Sequence, residues 1–310
     1  MSEVIDLSQL PPPSVLETPA FKDLLAQRLA ELQGLDPVFN ALVESDPAMK
    51  LLEISCYREI VNIARTNSGV LAVLLAYAKD ADLDQLGANF DVYRLTIVPA
   101  DNTTIPPAEG VMEKDDAFRL RIRLSWYARN TAGSVQAYEY FALSADGAVL
   151  DAKAYGPQEE TSISPGHVEV YVLSNEGEGI PDQTLLDTVA GDLSADFTRP
   201  LTDYVVVKAA TIVEYAVTAT LMTGSGPDAQ TVMEAAKNAM QRYADSVHRI
   251  GVPMSIAGVY RALKQPGVED VRLDEPLDTI NTGTGEATYC TAITLTTSTA
   301  LTQGARPEGV

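Results

Sequence analysis

Four groups of side chains in this sequence have the types and spacing to do chemistry. Asp80, Asp82 and Asp84 stand where the first three oxygen ligands of a helix-flanked calcium loop would stand. That loop needs glycine at its sixth position and a bidentate glutamate at its twelfth, where this chain has Gln85 and Asp91. A helix end uses the same residues without metal: Leu83 and Leu86 turn inward, the aspartates face water, and Gly87 supplies a left-handed cap. Gly224-Ser225-Gly226-Pro227-Asp228-Ala229 satisfies a dinucleotide fingerprint between a strand pattern and a helix pattern. Against it, Pro227 has no N–H for a phosphate, Asp228 brings negative charge to the pyrophosphate position, and the preceding strand alternates instead of running apolar. His167 and His248 are the two histidines, on separate elements and without a G-x-S-x-G nucleophile, so structural roles account for both. Arg119, Arg121, Arg123 and Arg129 form the one basic cluster. They read either as a solvated face paired to Glu113, Asp115 and Asp116 or as a patch that docks an acidic partner. No catalytic set, cofactor or metal is expected from these residues.

The elements that would position these groups change character along the chain. Residues 7–13, Leu-Ser-Gln-Leu-Pro-Pro-Pro, are an extended arm, because the prolines exclude helix. Thr18-Pro19 opens a short amphipathic helix that closes at Gly34, and Ser45-Asp46-Pro47 opens a second with no further proline before Lys79. Read as one helix, residues 47–79 would span about 50 Å. Its last part, with Val70, Leu71, Val73, Leu74, Leu75 and Tyr77, is apolar on every side and must be covered on every side. These residues, with Leu7 and Leu10 of the arm and Leu83 and Leu86, are the expected interface, and the isolated chain is expected to self-associate.

Residues 96–112 read as a linker, with Pro99, Pro106, Pro107 and Gly110. Residues 115–124 alternate like a strand, but the leading aspartates favour a helix. Beyond them the pattern predicts strands at 148–155, 167–173, 204–207, 213–221, 268–273 and 287–295, and helices at 131–143, 182–193, 228–247 and 255–263. Pro-Asp before an amphipathic helix recurs at 181 and 227. The expected class is therefore α+β: an N-terminal arm and helical bundling region (1–95), a linker (96–112), two small mixed α/β units (113–208 and 209–298) and a flexible tail (299–310). Deleting the first 95 residues is expected to leave a fragment that folds alone.

The 310 residues carry 22 Lys plus Arg against 43 Asp plus Glu, a net charge of −21, and every third of the chain is net negative. Phosphate neutralisation needs cations, so nucleic acid is not an expected partner. The longest uncharged apolar run, residues 69–78, is half of what a membrane span requires. Cys56 and Cys290 are far apart and fit a reducing compartment, and no secretory leader is visible in the sequence given, which points to cytoplasm as the place of synthesis.

Several segments, in order, carry a resemblance: Asp6-Leu-Ser-Gln-Leu-Pro-Pro-Pro13, Ala76-Tyr-Ala with Asp82-Leu-Asp-Gln-Leu-Gly-Ala-Asn-Phe90, Thr131-Ala-Gly-Ser-Val135, Gly179-Ile-Pro-Asp182, Arg199-Pro-Leu-Thr-Asp203 and Tyr243-Ala-Asp-Ser-Val-His-Arg-Ile-Gly251. Together they resemble the baseplate assembly protein J family of contractile-tailed phages and R-type bacteriocins. The resemblance implies a non-enzymatic structural subunit of the baseplate wedge, found in a virion baseplate or bacteriocin particle. Its implied partners are a second copy of itself and a smaller wedge protein, joined through a helical bundle. Neighbouring wedges, sheath-initiating and hub proteins follow, with tail-fibre proteins indirectly. Residues 96–112 stand where larger relatives carry a β-rich insert. The readings from other classes are a nucleotide-dependent enzyme using the Gly224 turn and a calcium-binding adaptor.

Overall fold

The computed structural model describes residues 7, 10–129, 133–195, 198–224 and 229–299. The chain divides into two compact units, Met1–Arg94 with Lys114–Arg123, and Leu95–Glu113 with Leu124–Val310.

In the first unit, α1 (Phe21–Leu35) packs on α2 (Pro47–Ala72). The Asp46 side chain caps α2 by accepting the Ala48 N–H, and Pro47 occupies its first turn. The helix does not run on to Lys79. It stops at Ala72, residues 73–77 form turns, and α3 (Asp80–Ala88) begins afresh. Asp80 and Asp82 stand in the first turn of α3, so the aspartates open a helix instead of closing one. Gly87 is inside α3, not at a left-handed cap. A Cβ on it would lie 2.5 Å from Cζ of Phe118 and 2.8 Å from the Val92 carbonyl oxygen, so glycine is needed for close approach.

The second unit opens with β1 (Thr96–Val98) and β2 (Val111–Met112), an antiparallel pair extended by a bridge between Asp101 and Ala108. The expected linker is therefore a hairpin, and Asp101 holds its turn by accepting from the N–H and hydroxyl of Thr103 at 2.8 and 2.6 Å. Next comes α4 (Asp115–Ala128), the helix favoured by its leading aspartates. The division between the units falls within it, after Arg123. Its earlier turns contribute Phe118 and Ile122, both fully buried, to the first unit. A cut at residue 95 would thus separate Phe118 from Gly87, and the boundary drawn from the sequence at 112/113 does not follow the chain's own packing.

Then follow α5 (Val135–Ala145), β3 (Val149–Tyr155), β4 (His167–Ser174), α6 (Gln183–Leu193) and β5 (Tyr204–Ala209). Residues 130–132 lie outside the described residues, so the helix expected from 131 is seen from its cap onward, where Ser134 accepts the Ala137 N–H. The strands form one sheet in the order β3-β4-β5, with β4 and β5 parallel. Through buried Ala210 the chain passes directly into β6 (Thr211–Thr223), then α7 (Ala229–Val247), α8 (Ile256–Leu263), β7 (Val268–Glu275) and β8 (Glu286–Thr299). The second sheet runs β7-β6-β8, with β6 and β8 parallel. Strict alternation on β6 sends Tyr215, Val217, Ala219 and Leu221 to the core under Val232, Ala236, Met240 and Val259 of the two helices. Mixed α+β is the class of the chain.

The two small sheets are not separate bodies in series; both lie in the second unit. Leu173, Ala210, Ile250 and Ala287 form a shared apolar joint. Across it Asp151 accepts the Ile250 N–H at 2.8 Å, and the Arg249 guanidinium donates to the Leu150 carbonyl. Burial pushes the Asp151 carboxyl above its ordinary value, against the pull of Arg249 and the Ile250 N–H. Glu139, also pushed up by burial, pairs nearby with Lys153 at 3.1 Å.

Candidate assembly interface

The apolar positions of α2 outnumber what one partner helix can cover. On one side Cys56 is fully buried, and there Arg28 of α1 reaches Glu59 at 2.7 Å and its own-helix neighbour Glu31 at 2.8 Å. These two carboxylates hold the Arg28 guanidinium well above its ordinary value. On another side Leu51, Ile54, Tyr57 and Val61 are 68, 58, 63 and 45% exposed. Positions 51, 54, 58 and 61 repeat at 3 and 4, the spacing of a coiled-coil seam, with Arg58 in one of the four places. A row of this length on a helix of 26 residues leaves an apolar stripe uncovered by the described residues of the chain. Sequence reading passed over it because Glu53, Arg58 and Glu59 interrupt the run. The signal available was the excess of apolar residues over one stripe.

The residues singled out from the sequence fall elsewhere. Val73 is 67% exposed, whereas Val70, Leu71, Leu74, Leu75 and Tyr77 are half-buried by the chain's own arm and turns. The Tyr77 hydroxyl donates to the Leu10 carbonyl at 3.2 Å, and Asn67 clasps Glu17 through both backbone groups. Leu10 remains 44% exposed and Leu7 half-buried. Leu83 is fully buried, so it is core and not interface, while Leu86 is half-buried beside it.

Of the arginine cluster, Arg119 and Arg121 point their donors into the chain, while Arg129 is exposed over the Trp126 ring. Arg119 donates to the carbonyls of Leu75 and Ala78, both at 2.7 Å, and so satisfies the turns where α2 has ended. Arg121 is buried, donates to the Tyr93 carbonyl at 2.6 Å and lies 5.7 Å from the Phe118 ring. Arg94 covers that ring at 4.8 Å and pairs with Asp84 and Asp115, both at 2.8 Å. Half-buried Arg123 also has a partner within the chain. Spacing placed the arginines on one helix, but the acceptors come from segments 28 to 44 positions away, which periodicity does not reveal.

The remaining chemistry is absorbed by the fold. Asp84 is taken by Arg94, and no group of three potential ligands gathers among the described residues. Residues 225–228 of the glycine turn lie outside the described residues. A Cβ on Gly224 would sit 2.2 Å from Glu269 Oε1, so a carboxylate already stands at the turn where a phosphate would need donors. His248 Nδ1 meets the Thr288 carbonyl at 2.6 Å and its ring lies tilted against that of Tyr289, centres 5.4 Å apart. His167 lies against Tyr204, ring centres 4.9 Å apart. No described helix is long and apolar enough to cross a membrane.

An exposed apolar row on α2, beside polar groups that meet partners within the chain, suits a protein that docks on other chains. The comparisons with known proteins name the assembly. Residues 44–101 match the Baseplate J-like N-terminal domain and residues 130–209 the Baseplate J-like central domain. Baseplate protein J of Escherichia phage P2 is 41% identical over 295 residues, covering 93% of this chain and 96% of that protein. The chain belongs to the baseplate J family and is a structural baseplate subunit. Among solved structures, a chain of the anti-feeding prophage baseplate, resolved by cryo-electron microscopy with sixfold symmetry, aligns at 16% identity with a TM-score of 0.41. That alignment covers 59% of this chain and 43% of that one.

Proposed function

We propose that this subunit builds the baseplate wedge by inserting the α2 seam into a helical bundle shared with a second copy of itself and a smaller wedge protein. The observation that carries the reading is the row Leu51, Ile54, Tyr57 and Val61, which the chain's own residues leave in water. Leu7, Leu10 and the segment Val70–Tyr77, with Leu86, add to the bundling surface. Contacts of the second unit then meet neighbouring wedges and the sheath-initiating and hub proteins, with fibre proteins reached indirectly. The role is non-enzymatic, with assembly in bacterial cytoplasm ahead of incorporation into a virion baseplate or bacteriocin particle.

The test is Ile54→Asp. At 58% exposure the change costs the folded chain little, but in a bundle it buries an unpaired carboxylate, a penalty of several kcal/mol. Coexpressed with its genomic neighbours, the variant should lose copurification with the smaller wedge protein and yield no particles, with helix content and melting unchanged. Normal particles from Ile54→Asp would put the bundle elsewhere.

A further inference from the structure

The second sheet has two edges of opposite character. Five of the eight residues of β7 are charged: Glu269, Asp270, Arg272, Asp274 and Glu275. Charge along an edge strand discourages another strand from adding to it. On β8 the twelve residues 287–298 carry no charge and no proline, and they are dominated by threonine and apolar residues that favour strand. Its first residues are covered, since Ile250 bridges Ala287 and the Gly251 N–H donates to the Glu286 carbonyl. From Thr291 to Thr297, however, β8 pairs only with β6 among the described residues, and Thr291, Ala292, Thr294, Thr296 and Thr297 are exposed.

This stretch is complementary to itself. In an antiparallel pair centred on Thr294, Ile293 of one chain would stand opposite Leu295 of the other, and Thr291 opposite Thr297. Ile293 and Leu295 both lie on the core-packed face, so the pair would join two half-covered apolar side chains where each copy is short of a neighbour. Charge selects the same place. Two chains of −21 each repel over most of their surfaces, and this edge brings them together without setting carboxylate against carboxylate. Head-to-tail pairing of β8 on the β7 of a next copy would instead press against five charges and would not close.

We propose that β8 is a copy-to-copy docking edge, two β8 strands pairing antiparallel about a twofold axis at Thr294 to give a six-stranded sheet with the charged β7 strands outermost. The inference deepens the assembly reading above by naming the second unit's partner as another copy of this chain, and it does not depend on the α2 seam.

The two surfaces are separated by measuring mass in solution by sedimentation equilibrium on the full chain. Because the seam also joins copies, the edge is tested in the Ile54→Asp background, where a dimer should persist. Adding Thr294→Asp or Thr294→Lys sets like charges opposite each other on the axis, and each should give a monomer with unchanged melting. Mixing the Asp and Lys forms should restore the dimer, since unlike charges then meet. A monomeric Ile54→Asp chain, a dimer that survives both charged variants, or failure of the mixture to re-pair would each overturn the proposal. Failure of the seam reading looks different: Ile54→Asp would then leave the wild-type mass unchanged while Thr294→Lys lowered it.

Discussion

Replacing Arg119 by alanine decides whether the basic cluster holds the fold or docks a partner. The guanidinium makes three hydrogen bonds of 2.7 Å, to the carbonyls of Leu75 and Ala78 and to the Asp116 carboxylate. Asp116 is 98% exposed, so that ion pair contributes close to nothing. The two carbonyls are another matter, because Ala78 is buried and the Arg119 side chain is only 14% exposed. Hydrogen bonds to a charged donor are worth about 1.5–3 kcal/mol each, and some water can reach Leu75, which brings the expected loss to about 2–4 kcal/mol. Followed by far-ultraviolet circular dichroism in urea, the first unit's transition should move down by roughly 1–2 M. Arg119→Lys should fall between, since an ammonium cannot fork to both carbonyls. A wild-type urea midpoint for Arg119→Ala, together with lost binding to a baseplate partner, would show that the arginine faces outward in function and that the reasoning is wrong.

Two further outcomes follow from the electrostatics. The raised pKa of Asp151 means that its contribution to stability is fully present below the ordinary carboxylate value and is lost as pH rises through the folded value. Asp151→Asn keeps an acceptor for the Ile250 N–H, so melting curves of variant and wild type should coincide near pH 4 and diverge in the variant's favour on going to neutral pH; a constant gap would count against the buried-carboxylate account. Raising salt from about 0.1 M to about 1 M shortens screening from roughly 10 Å to 3 Å, and light scattering should then report stronger self-association of this acidic chain, whereas weakening would point to ion-paired contacts.

The second unit was legible in the sequence because its elements are short, regular and covered on one face. The alternation of Val213 to Leu221 and the apolar stripe of Val232, Ala236 and Met240 each have one period and one reading. The first unit was less legible because a run such as Val70 to Ala78 has no period at all. Sequence reading supplied a continuous helix there, but five residues of turn were cheaper once Arg119 could satisfy the freed carbonyls from 41 and 44 positions away. Gly87 misled in the same manner: its position suggested a cap, whereas its lack of a side chain admits the Phe118 ring from α4.

The placement of charge ties these differences to assembly. Arg94, Arg119 and Arg121 spend their donors on carbonyls and carboxylates of their own unit. A partner still meets a chain of net charge −21, with apolar or uncharged strips on α2 and along β8. Like charge opposes most encounters between copies and favours those that match apolar or uncharged strips. An acidic surface with few neutral strips restricts which faces can join, and restriction of that kind is what a structural baseplate subunit needs if it is to enter a defined assembly instead of an aggregate.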